Sequence, residues 1–404
     1  MIGNFYQAVY AHPDEGWAII NKSDDLPEKY ADDFSAIERA NAGLSSGTLV
    51  PMGNNENPSC MLELYFKNDT AGLVRIQYGL SDVQGRPVSF AHGYIFKDAY
   101  GLLKTPEDIL SVKNENFADK RISEDQKTEI RSTPGALNKA LIENSKVEDM
   151  PLELIKDRMF SSKEALEVCA MTKESYIRYI LAVYVHIIAA KSDNNLYIKT
   201  DGSERYFKHL LFLTYSAVPF SMRSMLSAST YLHAEQHNTK LIFCAELPAN
   251  MPYIDPVSGD SNILSDALEK RTKDRNPFII NSIESVLNGK QNLFFSGIEA
   301  ALRSMGNEKL DTMQAINLAY KFGIKEYDNE ERLPGLIYGW GSLPVPNTKE
   351  WEDGMSFLLK KAQEKSIVIG DEIRSVVSSR YEKAITDNFR SIAEACLMLT
   401  GERK

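Results

Sequence analysis

The stretch GLVRIQYGLSDVQGRPVSFAHGYIF, residues 72–96, decides which fold the first part of the chain adopts. Two runs rich in aromatic and β-branched residues flank DVQGRP, residues 82–87, in which Gly85 is free to take a positive φ. Such a pattern is typical of two antiparallel strands joined by a turn. Further runs of this kind, FYQAVY, WAII and CMLELYFK, predict a β-rich domain over residues 1–140, in which HPDEG, residues 12–16, is the turn between the first two strands.

A different pattern follows the polar, Pro- and Gly-containing stretch at residues 131–153. LYIKT, residues 196–200, and KLIFCAEL, residues 240–247, indicate two buried strands on either side of a helix that begins at Ser203. Strand, helix and strand without tight hairpins are typical of parallel pairing. The sequence therefore predicts a small α/β domain with a short parallel sheet over residues 154–262.

Strand signals fade over residues 263–404, where short helices with caps or terminal glycines follow one another. Residues 370–401 carry an apolar side chain every three or four positions, which predicts one long amphipathic helix. The expected fold class is thus α+β, with a β-rich N-terminal domain, a small α/β middle domain and an all-helical C-terminal domain.

Composition narrows the classes of partner. The chain has 404 residues and a formal net charge of -10, with 43% hydrophobic and 25% charged residues, which is typical of a globular protein of several domains. This negative net charge argues against binding of nucleic acid by a diffuse basic surface. The first ten residues lack a signal-peptide pattern, and the most apolar run, residues 175–190, is too short for a bilayer. We expect a cytoplasmic protein with no nucleic-acid or membrane partner.

Several catalytic and cofactor motifs are absent from the sequence, among them GxxxxGK[ST], GxSxG and HExxH. The four cysteines form no CxxC pair, which is typical of reduced thiols without a zinc site. HAEQH would place His233 and His237 on one face of a helix as a weak metal-binding candidate, but an exposed helix end is the favoured interpretation. We therefore expect neither cofactor nor metal.

Two constellations are candidates for function. Cys60 with His12 or His92 would form a nucleophile pair if the strands of the N-terminal domain brought them together, although a turn and a strand histidine explain the same residues. SAVPFSMRSMLSASTY, residues 216–231, offers Arg223 and several hydroxyl groups near a helix start, either as an anion or ligand site or as a joint between helices. The sequence leaves both alternatives open.

Several stretches resemble a known family. QAVYAHPDEGWAIINKSDDLP is similar to the N-terminal signature of the bacterial GTPase-associated protein 1 family, and AHGYIF with SVKNENF is similar to a later part of its type 2 N-terminal domain. VPFSMRSMLSASTY followed by KLIFCAEL resembles the middle domain of that family. The matching positions are Gln7, Tyr10, Gly16, Ser23, Pro27, Pro219, Arg223, Leu226, Ser227 and Thr230.

The resemblance implies a non-enzymatic adaptor or sensor that works with a separate bacterial GTPase or effector in a conflict or antiphage defence system. The GTP-binding apparatus would then belong to the partner. The resemblance assigns no catalytic residue, so its signature positions are carried over only as interaction or ligand candidates: Gln7, Tyr10, Gly16, Pro219, Arg223, Ser227 and Thr230. The alternative is a cysteine-type hydrolase or transferase that uses Cys60 with His12 or His92.

Overall fold

The computed structural model describes residues 5–12, 16–42, 60–67, 69–81, 83–84, 87–97, 106–146, 160–189, 195–230, 240–304, 313–343, 349–367, 370–373, 375–376 and 379. The chain divides into two compact units. The first comprises residues 1–273 with 286–289, and the second comprises residues 274–285 with 290–404. The predicted N-terminal and middle domains thus both fall within the first unit.

The first unit is built on a mixed sheet of nine strands in the order β2-β1-β5-β4-β3-β7-β8-β6-β9. The strands β1 to β5 pair antiparallel, whereas the pairs β7–β8, β8–β6 and β6–β9 are parallel. The strands are β1 Phe5–Ala11, β2 Ala18–Lys22, β3 Cys60–Lys67, β4 Thr70–Ser81, β5 Pro87–Lys97, β6 Leu196–Lys199, β7 Ala228–Ser229, β8 Leu241–Cys244 and β9 Tyr253–Ile254.

Two hairpins of the N-terminal strands agree with the sequence pattern. β4 pairs antiparallel with β5 over most of their length, so that Leu73 faces Tyr94. β1 pairs antiparallel with β2, as expected if HPDEG is only the turn between them. Gly16 has a φ of +121° directly before β2, a conformation that favours glycine. Residues 13–15 and Gly85 lie outside the described residues.

The short parallel sheet predicted for the middle domain is not a separate sheet. β7 pairs antiparallel with β3, with Ser229 facing Glu63, and it also pairs parallel with β8. It thereby joins the antiparallel and parallel strands into one sheet. β7 has only two residues, too few for a recognisable alternation of apolar and polar side chains, which is why sequence patterning divides the sheet at this point.

The helices that begin in the first unit cover both faces of the sheet. They are α1 Glu28–Ala42, α2 Pro106–Leu110, α3 Ala118–Arg121, α4 Glu124–Ser132, α5 Ala136–Asn144, α6 Ser162–Val168, α7 Lys173–Ala189, α8 Glu204–Ser216, α9 Phe220–Arg223 and α10 Asp266–Arg275, with a 3₁₀ turn at Asn114–Asn116 before α3. Two of these helices begin with side-chain caps: Ser123 forms a capping box with Gln126, and Ser203, where the sequence predicts a helix start, accepts the backbone N–H of Tyr206.

Each face of the antiparallel strands has its own core. On one face, α1 packs against β1 and β5, and the ring of Phe34 occupies the space that a Cβ on Gly93 would need, at 2.6 Å. On the other face, Val9 and Phe90 pack against residues of α3, α4 and α5. The long apolar helix α7 is buried along most of its length. No helix in the described ranges is long and apolar enough to cross a membrane.

The described part of the second unit is helical. Its helices are α11 Pro277–Leu287, α12 Gln291–Ser304, α13 Met313–Gly323, α14 Leu333–Ser342 and α15 Lys349–Glu364, with a 3₁₀ turn at Glu326–Asp328. Trp340 is fully buried, and its ring lies where a Cβ on Gly354 would be, at 2.2 Å. Most of the long helix predicted over residues 370–401 falls outside the described residues.

Candidate functional site

His92 lies within β5 and is fully buried. Its Nδ1 accepts a hydrogen bond of 2.9 Å from the backbone N–H of Ala118, the first residue of α3. The ring proton is therefore on Nε2, which lies 3.4 Å from the side-chain oxygen of Gln7. Burial, with a smaller effect of the nearby charge of Arg121, lowers the pKa of His92 to about 3. His92 is thus a neutral residue at pH 7 that joins β5, β1 and α3.

We expect His92 to make the protein sensitive to acid. The pKa of an unfolded histidine is about 6.5, whereas that of folded His92 is about 3, so the unfolded state binds more protons below pH 6.5. The contribution of neutral His92 to the free energy of unfolding is complete above pH 6.5 and declines as the pH falls towards 3. This one group should reduce the free energy of unfolding by about 2 kcal/mol between pH 6.5 and 4.5.

Urea unfolding at a series of pH values tests this expectation. A His92→Gln variant should be less stable than the wild type at pH 7 but should lose less stability on acidification. The control is His12→Gln, which makes the same replacement at an exposed histidine. An equally steep decline in the His92→Gln variant would show that His92 is not the group that couples folding to pH.

The cysteine–histidine pair considered from the sequence is not assembled by this sheet. β4 lies between β3, where Cys60 is the first residue, and β5, where His92 lies. Two strand spacings separate the backbones of β3 and β5 by about 10 Å. The ring of His12 contacts Trp17, which belongs to the core under α1, on the face opposite His92. Neither histidine is therefore placed as a base for Cys60.

Two further thiols are core residues, as the sequence suggests for scattered cysteines. Cys169 and Cys244 are buried and free. Burial raises the pKa of the Cys244 thiol to about 12, and that of Cys169 is also raised, chiefly by burial. A thiol with so high a pKa carries almost no thiolate near neutral pH, so neither group is a nucleophile in this structure.

A buried polar cluster lies beside His92 and was missed in the sequence analysis. Arg75 pairs directly with His92 across β4 and β5, and its side chain is 3% exposed. Its Nε donates to a carboxylate oxygen of Asp119 at 2.7 Å, and its Nη1 donates to Glu204 at the start of α8. One guanidinium thus binds the carboxylates of two helices to the centre of the sheet.

The cluster continues through Lys208 of α8. Its ammonium donates to the carbonyl of Val112 at 2.6 Å and to the side-chain oxygen of Asn114 at 3.0 Å, and the amide of Asn114 donates to Glu204. These bonds connect two cations, Arg75 and Lys208, with two carboxylates, Asp119 and Glu204, in one network. A lone arginine in the apolar run LVRIQ was the only signal for it in the sequence, because the partners lie far along the chain.

The described part of the segment 216–231, residues 216–230, is a packing joint in which Arg223 is fully buried. Its Nε donates to the carbonyl of Val218, just after α8, at 2.7 Å. Two tyrosines of α7 donate to other carbonyls at this end of α8, Tyr176 to Leu213 at 3.0 Å and Tyr184 to Ala217 at 2.8 Å. The last carbonyls of a buried helix need such partners, because water does not reach them.

The charge of Arg223 has compensation within the core. Burial lowers the pKa of its guanidinium to about 9, and the charge of Glu107 acts in the opposite direction. The guanidinium also lies over the ring of Phe220, at 4.7 Å from the centroid. A cation near a helix C-terminus is further stabilised by the helix dipole. Arg223 therefore stays charged at pH 7 while facing the interior.

The ligand candidates around Arg223 have internal roles. Pro219 begins the turn into α9, and its carbonyl accepts the N–H of Arg223 at 3.1 Å. The hydroxyl of Thr230 accepts the backbone N–H of Leu62 at 2.8 Å, and the carbonyl of Ser227 accepts two backbone N–H groups at the start of β8. The anion-site interpretation is not supported here, since these groups bond the chain's own backbone. The joint interpretation accounts for them.

The metal candidate from the sequence cannot be placed. His233 and His237 lie outside the described residues. Within the described ranges, no group of three or more His, Cys, Asp or Glu side chains is arranged to hold a metal ion.

The N-terminal signature positions build one hairpin and the start of α1. Gln7 and Ser23 form two reciprocal bonds: the N–H of Gln7 donates to the hydroxyl of Ser23, and the N–H of Ser23 donates to the carbonyl of Gln7, both at 3.0 Å. The ring of Tyr10 stacks on Trp17 with centroids 5.8 Å apart. The carbonyl of Pro27 accepts the first N–H groups of α1. Gln7 and Tyr10 are buried, so they shape this region from within.

Among the described strands, this hairpin forms one edge of the sheet. β2 is the first strand in the sheet order and pairs only with β1 in the described structure. Asn21 donates to the hydroxyl of Ser145, after α5, at 2.5 Å, which fixes β2 against that helix. The candidate site is therefore the outer edge of β2, termed here the β2 edge and defined as residues Ala18–Lys22.

No protein-family model, curated protein or solved structure matches the chain.

Proposed function

We propose that the protein is a non-enzymatic adaptor or sensor that binds a separate GTPase or effector of a bacterial conflict or antiphage defence system. The observation that carries the proposal is the β2 edge. Among the described strands it has no neighbour on its outer side, and two of the residues that hold it in place, Gln7 and Ser23, are positions at which the chain resembles the GTPase-associated protein 1 family. An unpaired strand edge is a common recognition surface for another polypeptide.

Two of the side chains that the sequence offers for chemistry, those of His92 and Arg223, have structural roles, which also favours a binding protein. His92 is neutral and engaged through both ring nitrogens. Arg223 faces a carbonyl and an aromatic ring inside the fold. The sequence contains no GxxxxGK[ST] motif, so in this proposal the nucleotide is bound by the partner and not by this chain.

A tagged pull-down from the bacterium that encodes the protein tests the proposal. The eluate is compared by mass spectrometry with a GTP analogue, with GDP and without nucleotide. We expect a GTPase to be recovered, and to be retained better in one nucleotide state than in the other. Recovery of the bait alone under all three conditions would contradict the adaptor function.

A further inference from the structure

The backbone of the β2 edge has a defined direction. The N–H of Ser23 donates to Gln7 of β1, so the backbone of Ser23 faces inwards. Backbone groups alternate in direction along a strand, and those of Lys22, one residue earlier, therefore face away from β1. Asn21 pairs with Val9. By the same alternation, the backbone N–H and C=O of Asn21 face β1. The open side of the strand thus presents the N–H and C=O of Lys22.

We propose that the β2 edge binds an extended segment of the partner protein, which adds to the sheet as a further strand. This inference rests on the proposed function and specifies how the partner is bound. The side chains beside the edge are already partly covered, because Ile19 packs on the core under α1 and Ile20 packs on the core under α3 to α5. The outward N–H and C=O of Lys22 have no strand partner among the described residues, and an extended peptide would complement them.

A flexible segment fits this edge better than a second copy of the protein. The pairing of β1 with β2 shifts register between Val9 and Tyr10, which indicates a bulge on β2 at Ile20. A bulge increases the local twist of an edge and disfavours flat pairing with another rigid sheet. A single extended peptide can follow that twist over the few residues of β2.

The charge near the edge indicates the chemistry of the segment. Asp24, Asp25 and Glu28 follow β2 and are all exposed, whereas Lys22 is the one exposed basic residue within the strand. The whole chain carries a formal net charge of -10. A segment with β-branched residues along the strand and a basic residue beside Asp24 and Asp25 would complement both the backbone and the charge.

Peptide selection with matched variants tests this inference. A phage-displayed library of random dodecapeptides is selected against the full chain, and the affinities of the selected peptides are measured by fluorescence polarisation. Lys22→Pro removes the outward N–H but leaves the bonds to β1, and Lys22→Ala removes only the side chain. We expect Lys22→Pro to weaken binding by about tenfold or more and Lys22→Ala to change it by less than about threefold.

The outcomes separate this inference from the proposed function. Circular dichroism checks that Lys22→Pro folds, and hydrogen exchange of the wild-type chain gives a second reading, because bound peptide should slow exchange of the Lys22 amide. Selected peptides that bind Lys22→Pro as well as wild type, or that leave this amide unprotected, would overturn the edge site. A GTPase retained equally by wild type and Lys22→Pro would leave the adaptor function intact while excluding the β2 edge.

Discussion

Replacing Arg223 with alanine is expected to lower the free energy of unfolding by about 3–5 kcal/mol. The side chain is fully buried, and its Nε is hydrogen-bonded to the carbonyl of Val218 at the end of α8. Alanine would leave that carbonyl without its donor and would open a cavity beside Phe220. It would also remove the positive charge near Glu107. Chemical denaturation at pH 7 measures the loss directly.

Two variants control for the effect of Arg223→Ala. Arg205→Ala removes an arginine at the opposite, N-terminal end of α8 whose side chain is 62% exposed, and it should change stability by no more than about 0.5 kcal/mol. Arg223→Lys keeps the charge but cannot reproduce the planar guanidinium, so it should fall between the wild type and alanine. If the free energy of unfolding of Arg223→Ala lay within about 1 kcal/mol of the wild-type value, the joint would not depend on the buried guanidinium for its stability.

The role of Arg223 illustrates what sequence reasoning could reach. The pattern of Pro219 and the following hydroxyl residues indicates a joint or a ligand site, and both interpretations use the same residue types. Only the burial of the guanidinium and its direction towards Val218 favour the joint. Burial depends on which helices pack on the segment, and that information is distributed over distant parts of the chain.

Local patterns were more informative than distant ones throughout the fold. The β4–β5 hairpin and the caps at Ser123 and Ser203 follow from neighbouring residues, and the structure contains them. The joining of two predicted sheets depends on β7, which has two residues and no periodicity of its own. The failure of Cys60 and His92 to meet likewise depends on β4 running between their strands, a matter of strand order.

The β2 edge was predictable from the sequence only in part. Its hairpin could be read from the first 27 residues, including Gly16 before the strand and Ser23 after it. That the other side of β2 has no neighbour in the described structure could not be read in the same way. An edge is a property of the complete strand order, so a recognition surface of this kind becomes visible only when all strands are placed.

Replacing Arg75 with methionine is expected to destabilise the protein by about 3–5 kcal/mol, because it removes one partner of a buried ion pair. Asp119 would lose a bond of 2.7 Å while its side chain stays 7% exposed. The change would also free Glu204 from the sheet, although Asn114 still donates to that carboxylate. Urea unfolding at pH 7 gives the magnitude, with Lys139→Ala, 64% exposed, as a surface control.

A double-mutant cycle shows whether Arg75 and Asp119 act as a pair. Asp119→Leu alone should also be costly, since it leaves the buried guanidinium with one carboxylate fewer. The double variant, with methionine and leucine in place of the ions, should lose less stability than the sum of the two single variants by about 1–3 kcal/mol. Strict additivity would show that the two side chains contribute independently. In that case Arg75 would stabilise the sheet mainly through Glu204, and replacing Glu204 should then reproduce most of the Arg75→Met effect.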